Sequence, residues 1–180
     1  MDEITYKLAD EAKDAPTATA ILGPFFRADT PYRKNGDNLV TGVKDGEMAF
    51  MHGQVVDFET KKPLVGATVE VWQASTNGLY EQQDPDQVEH NLRGKFVTDD
   101  EGRYYFYCLR PTPYPVPDDG GFLGLLTFRI EVLTIIGPAG KLLQLLDRHP
   151  FRPAHIHIIV CLFCLGVCFI AVTDGSIGYL

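Results

Sequence analysis

Two histidines one residue apart, His155 and His157, are the most chemically suggestive pair in this chain. They sit in "RPAHIHIIV", a run that reads as a β-strand. In a strand, positions i and i+2 point to the same face. The two imidazoles would then stand about 6–7 Å apart along one side. Imidazole is a common metal ligand, so one face of this strand could chelate a cation. The pair alone is a weak signal and reads first as an ordinary strand pair of surface or core histidines. His149 is near in sequence but lies in a proline-bounded loop. Cys161, Cys164 and Cys168 follow at once in an apolar run, "CLFCLGVC", which lacks the polar groups and has only one of the glycines expected around a cluster site. Two tyrosines are better placed. Tyr80 ends "VWQASTNGLY", after a strand-like run and a glycine turn, and Tyr114 is clamped between prolines in "RPTPYPVP". Proline fixes φ and lowers the entropy of the loop that holds such a side chain.

The elements that must position these residues are mostly short strands. "EMAFMHGQVVD" alternates loosely, and "GATVEVWQA" alternates well. In the latter, Val69, Val71 and Gln73 share one face, and Thr68, Glu70 and Trp72 the other. "GKFVTDDEGRYYFYCLR" predicts a hairpin turning at Asp99-Asp100-Glu101-Gly102. "LLTFRIEVL" and "AHIHIIV" are further strands. Residues 16–46 read as ordered loop, and residues 1–14 as a short helix with Ile4, Leu8 and Ala12 on one face. Short strands at turn spacing suggest a β-sandwich or barrel.

Composition sets the broad class. A chain of 180 residues with 45% apolar residues can bury a sizeable core in one domain. A net charge of −8 argues against nucleic acid or an anionic membrane as partner. Clustered cysteines and an N-terminus with no apolar leader point to a reducing, cytoplasmic setting. The apolar run Ile158–Val172 is shorter than the about 17–25 residues that span a bilayer.

Taken together, "ILGPFF", "VWQASTNGLY", "NLRGKFVTDDEGRYYF", "RPTPYPVPDDG" and "GPAGKLLQLLDRHPFRPAHIH" resemble the intradiol ring-cleavage dioxygenases of catechols. The likeness is to the hydroxyquinol and catechol 1,2-dioxygenase branch, with Phe25 and the "PYPVP" loop favouring hydroxyquinol. It implies a mainly β protein, an antiparallel β-sandwich of the intradiol type with a short N-terminal helical stub. It implies one non-haem Fe(III) per chain, held by Tyr80, Tyr114, His155 and His157. The substrates implied are a small aromatic diol and O2, and the product a muconate-type or maleylacetate-type diacid. Tyr114 is then the ligand that leaves and takes a substrate proton. Arg152 would stabilise negative charge on the ring. Ile21, Pro24, Phe25, Val116 and Pro117 would line the ring pocket.

The sequence departs from the family pattern in places. Residues 121–137 are an apolar segment between Tyr114 and the histidines, and residues 161–172 form a second. Both are unlike their surroundings, and we read them as translated introns. We expect residues 1–15 to be a remnant of the family's helical dimerisation region, which leaves homodimerisation without its usual interface. Residues 16–180 are then a catalytic domain, incomplete at its C-terminal end. An inactive truncated or mis-spliced fragment of such an enzyme is the alternative reading. A transthyretin-like binding sandwich shares the architecture but needs neither the four ligands nor Arg152.

Overall fold

The computed structural model describes residues 22–42, 45–115, 145, 151–162, 165–172 and 178–179. The N-terminal helix, Ile21, Val116, Pro117, the "LLTFRIEVL" strand and the 121–137 segment lie outside the described residues.

Nine strands are described: β1 (Met48–Gln54), β2 (Thr68–Trp72), β3 (Arg93–Val97), β4 (Arg103–Leu109), β5 (Tyr114–Pro115), β6 (Phe151–Arg152), β7 (His155–Leu162), β8 (Leu165–Val172) and β9 (Gly178–Tyr179). They form a three-stranded sheet in the order β4-β1-β9, a four-stranded sheet in the order β3-β2-β7-β8, and the pair β5-β6. The pairings between these strands are antiparallel. No helix among the described residues is long and apolar enough to cross a membrane.

Alternation along the strands builds the sandwich. Ala49 on β1 and Phe106 and Cys108 on β4 pack against Val69 and Val71 on β2, Phe96 on β3, and Ile156 and Ile158 on β7. This is the buried layer between the two larger sheets. The predicted faces of β2 are realised: Val69 and Val71 join this core, while Trp72 joins a second cluster with Ala74, Tyr80 and Tyr114. Gln73 follows the inward face, its Nε2 donating to the Leu109 carbonyl at 3.0 Å.

One expectation is corrected. Residues 94–110 do not form a hairpin. The turn forms where predicted, with Gly102 N–H donating to the Asp99 carbonyl at 2.8 Å and Gly102 at φ +72. However, β3 joins the four-stranded sheet and β4 the three-stranded one. The chain crosses between layers because Phe96 and Phe106 both face inward and stack, with ring centroids 4.9 Å apart. A hairpin would have left one of those rings without the opposite sheet to pack on.

Residues 31–39 protect the edges this crossing leaves. Their backbone bonds first to β3, through Arg33 N–H to the Lys95 carbonyl (2.8 Å), and then to β4, through Leu39 N–H to the Tyr107 carbonyl (2.8 Å). One loop strand thus satisfies backbone groups on both sheets. Of the cysteine-rich segment, Cys161 and Leu162 end β7 and Leu165–Val172 form β8, which pairs with β7 from His155 opposite Val172 to Leu162 opposite Leu165.

Candidate metal centre

The two-residue period of β7 decides where the histidines go. Ile156 and Ile158 point into the intersheet core, so His155 and His157 point out of the sandwich. There they are covered, not solvated: His155 is 5% and His157 4% exposed. The cover comes from two loops. Residues 73–92, between β2 and β3, carry Tyr80; the short strand β5 carries Tyr114. Thr112 Oγ1 ties the loops together by donating to the Ser75 carbonyl at 3.4 Å. The Tyr80 loop is set by a tight turn in which Ser75 N–H reaches the Leu79 carbonyl (2.9 Å) and Gly78 takes φ +78. Asn77 Oδ1 accepts from Leu79 N–H at 3.0 Å.

Four polar atoms converge. Tyr80 Oη lies 3.3 Å from Tyr114 Oη, Tyr114 Oη lies 3.3 Å from His155 Nε2, and His155 Nε2 lies 3.1 Å from His157 Nε2. Adjacent donors around a metal with bonds of about 2.0–2.1 Å stand roughly 3–3.5 Å apart. His155 Nδ1 is 2.7 Å from the Pro153 carbonyl, which can only accept. Nδ1 therefore carries the hydrogen, and Nε2 presents its lone pair to the cluster. The three contacts string the four donor atoms into one buried cluster, in an aromatic shell. Trp72 stacks on His157 at 4.7 Å with parallel rings, and Phe25 stacks on Tyr80 at 4.3 Å.

Electrostatics define what the cluster would favour. Burial, followed by the neighbouring charges of His155, Arg152 and Arg93, lowers the His157 pKa to about 3. Burial also lowers that of His155, against the bond to Pro153. Both rings are neutral near pH 7, the form that ligates metal. Burial, then Tyr114, pushes the Tyr80 phenol above its ordinary value of 10.0. A buried phenol gives up its proton only to a strong local cation. Two phenols and two neutral imidazoles make a hard, oxygen- and nitrogen-bearing set, and the residues fit a trivalent or divalent transition metal.

Arg152 reaches the same place by pairing: on β6 it lies directly opposite Tyr114 on β5. It is exposed, and its positive charge acts on both Tyr80 and His157. Phe25 is half-buried against Tyr80, and Pro24 beside it is exposed. Trp72 carried no expected role. Its place is set by register, since Trp72 pairs directly with His157 across β2 and β7. The only sequence signal was its position on the outward face of β2.

A family model described as Dioxygenase matches residues 21–131. The chain is 44% identical over 161 residues to an intradiol ring-cleavage dioxygenase of Aspergillus niger, covering 89% of this chain and 46% of that protein. The chain belongs to the intradiol ring-cleavage dioxygenase family. Among other intradiol dioxygenases, it is 48% identical over 143 residues to a catechol 1,2-dioxygenase of Candida albicans, covering 78% of this chain and 41% of that protein. The solved hydroxyquinol 1,2-dioxygenase of Pseudomonas putida DLL-E4 superimposes with a TM-score of 0.72 at 32% identity, over 93% of this chain and 52% of that one. The chain spans about half the length of the curated intradiol dioxygenases it matches.

Proposed function

We propose that this chain carries the catalytic centre of an Fe(III)-dependent intradiol dioxygenase, which inserts both atoms of O2 into hydroxyquinol or catechol. The observation that carries the reading is the convergence of Tyr80 Oη, Tyr114 Oη, His155 Nε2 and His157 Nε2 at 3.1–3.3 Å between neighbours. Tyr80, Tyr114, His155 and His157 would hold the iron. Bound there, Fe(III) would supply Lewis acidity towards the diol oxygens and a route for ring electrons towards O2.

The remaining steps belong to the protein. His155 and His157 are fixed by the strand, and Tyr80 by its braced loop, so these three stay in place. Tyr114 sits on the two-residue strand β5, which is paired with the equally short β6. It is the group suited to release and to take the proton of a diol hydroxyl at its phenolate oxygen. Arg152, opposite it, would follow that movement and place a guanidinium beside negative charge developing on the ring. Phe25 and Trp72 keep the donors in an apolar surround, which strengthens these electrostatic effects. The relatives named for catechol and for hydroxyquinol cleavage both support a vicinal aromatic diol as substrate.

The test is O2 uptake by iron-loaded protein with hydroxyquinol and with catechol, with product mass read after reaction. The expected product is the substrate plus two oxygen atoms, as an open diacid. Tyr114→Phe should lower turnover by about 10²-fold or more, the usual size of an acid–base contribution. Undiminished turnover in that variant would exclude Tyr114 as the group that leaves and takes the proton.

A further inference from the structure

Tyr80 is followed by a carboxylate that is almost completely buried. Glu81 has a 2% exposed side chain and is bound by Arg93, whose Nε lies 2.7 Å from both of its oxygens. Arg93 is itself 1% exposed. Its Nη2 donates to Gln82 Oε1 at 2.5 Å, so a single guanidinium grips two consecutive residues after Tyr80. Arg27 adds a second cation on Glu81 at 3.2 Å. The turn is closed from within as well: Tyr80 N–H donates to Gln83 Oε1 (3.1 Å), and Gln83 N–H to the Tyr80 carbonyl (2.8 Å).

A buried pair of this kind is a costly way to gain stability, because both ions lose their hydration. Its geometry suggests another use. The Arg93 guanidinium carbon lies 5.9 Å from the centre of the Tyr80 ring. The residue comes from β3, directly opposite Trp72, which stacks on His157. Arg93 therefore links the rigid sheet that holds the histidines to the loop that holds Tyr80.

We propose that Arg93, acting with Glu81, is a positioning residue for Tyr80. It locks residues 80–83 onto β3, and so fixes the distance of Tyr80 Oη from the two histidine nitrogens. It also sets a fixed positive charge beside the tyrosine that the proposed function keeps bound, a reading this inference rests on. Arg27 bears on the same carboxylate, but it is partly exposed and also engages Asp29 and Glu89. The lock is assigned to Arg93.

The test uses the full chain with Arg93→Lys, which keeps the charge and loses the fork, and with Glu81→Gln, which keeps the shape and loses the ion. Backbone hydrogen exchange is measured first on metal-free protein. Both variants should exchange about tenfold faster across residues 79–84, with the β4 peptide 103–109 unchanged. Iron is then added. The tyrosinate-to-Fe(III) charge-transfer band should move in energy in both variants, and iron should leave at least about tenfold faster than from the parent. A change in global stability alone would leave the band energy where it was. Folded variants with unchanged exchange at 79–84 and an unchanged band would overturn the inference. A variant that loses protection everywhere, β4 included, would also overturn it, since the pair would then serve the whole fold. If the parent protein takes up no iron, the function proposed above fails, while the exchange measurement still decides whether Arg93 locks the turn.

Discussion

At the scale of single residues, the proposed metal centre is four donors brought from three parts of the chain. Two were legible from spacing: His155 and His157 lie at i and i+2, and a strand must place them on one face. Tyr80 and Tyr114 could not be found that way. Tyr80 is delivered by a loop and Tyr114 by the two-residue strand β5, and only the motifs around them marked them out. Trp72 was invisible for a third reason, because its contact with His157 depends on a register between β2 and β7 that no local pattern specifies. The histidines also make a pH prediction. In the metal-free protein His157 protonates near pH 3, against an ordinary value of 6.5. Between those values the unfolded chain binds more protons than the folded one, so stability rises with pH and is lost as pH falls from about 6.5 towards 3. The urea midpoint of metal-free protein should fall between pH 7 and pH 5, and it should fall less in His157→Gln. Equal falls in the two proteins would assign the loss to other groups.

At the scale of elements, the instructive case is the passage from β3 to β4. The turn chemistry of Asp99–Gly102 was readable, and the turn is where it was expected. What turn chemistry cannot say is whether the chain returns within its own sheet or crosses to the next. In this chain the inward rings of Phe96 and Phe106 decide for the crossing. Gly102 is needed in it twice over. Its φ is +72, and a Cβ there would stand 2.6 Å from the Val55 carbonyl oxygen. Gly102→Ala should therefore destabilise the fold by about 1–3 kcal/mol, read from denaturant midpoints. A neutral result would mean that the crossing is looser than described. β7 teaches a similar lesson about composition. Its character changes at Val160, yet pairing with β8 continues through Cys161 and Leu162, because backbone hydrogen bonding is indifferent to side-chain type.

At the scale of the molecule, a β-sandwich serves this site by separating two jobs. One face of the β3-β2-β7-β8 sheet builds the intersheet core, and the other supports the donors. β7 carries both core residues and the two histidines, so core packing fixes where the histidines stand. Phe106, fully buried between the sheets, tests that coupling. Phe106→Ala should cost about 3–5 kcal/mol of stability, and its iron affinity should fall although it touches no ligand. Affinity equal to the parent's would show that the site stands apart from the core. The overall class was legible because alternation and turn spacing are local signals. The allotment of strands to sheets was not, because it is set by long-range packing. The most direct measurement of the central claim is titration of the purified chain with Fe(III), followed in the visible spectrum. Ligation by Tyr80 and Tyr114 predicts one iron per chain and a burgundy tyrosinate charge-transfer band, lost in His155→Ala and His157→Ala. A folded chain that binds no iron, or binds it without colour, would contradict the account.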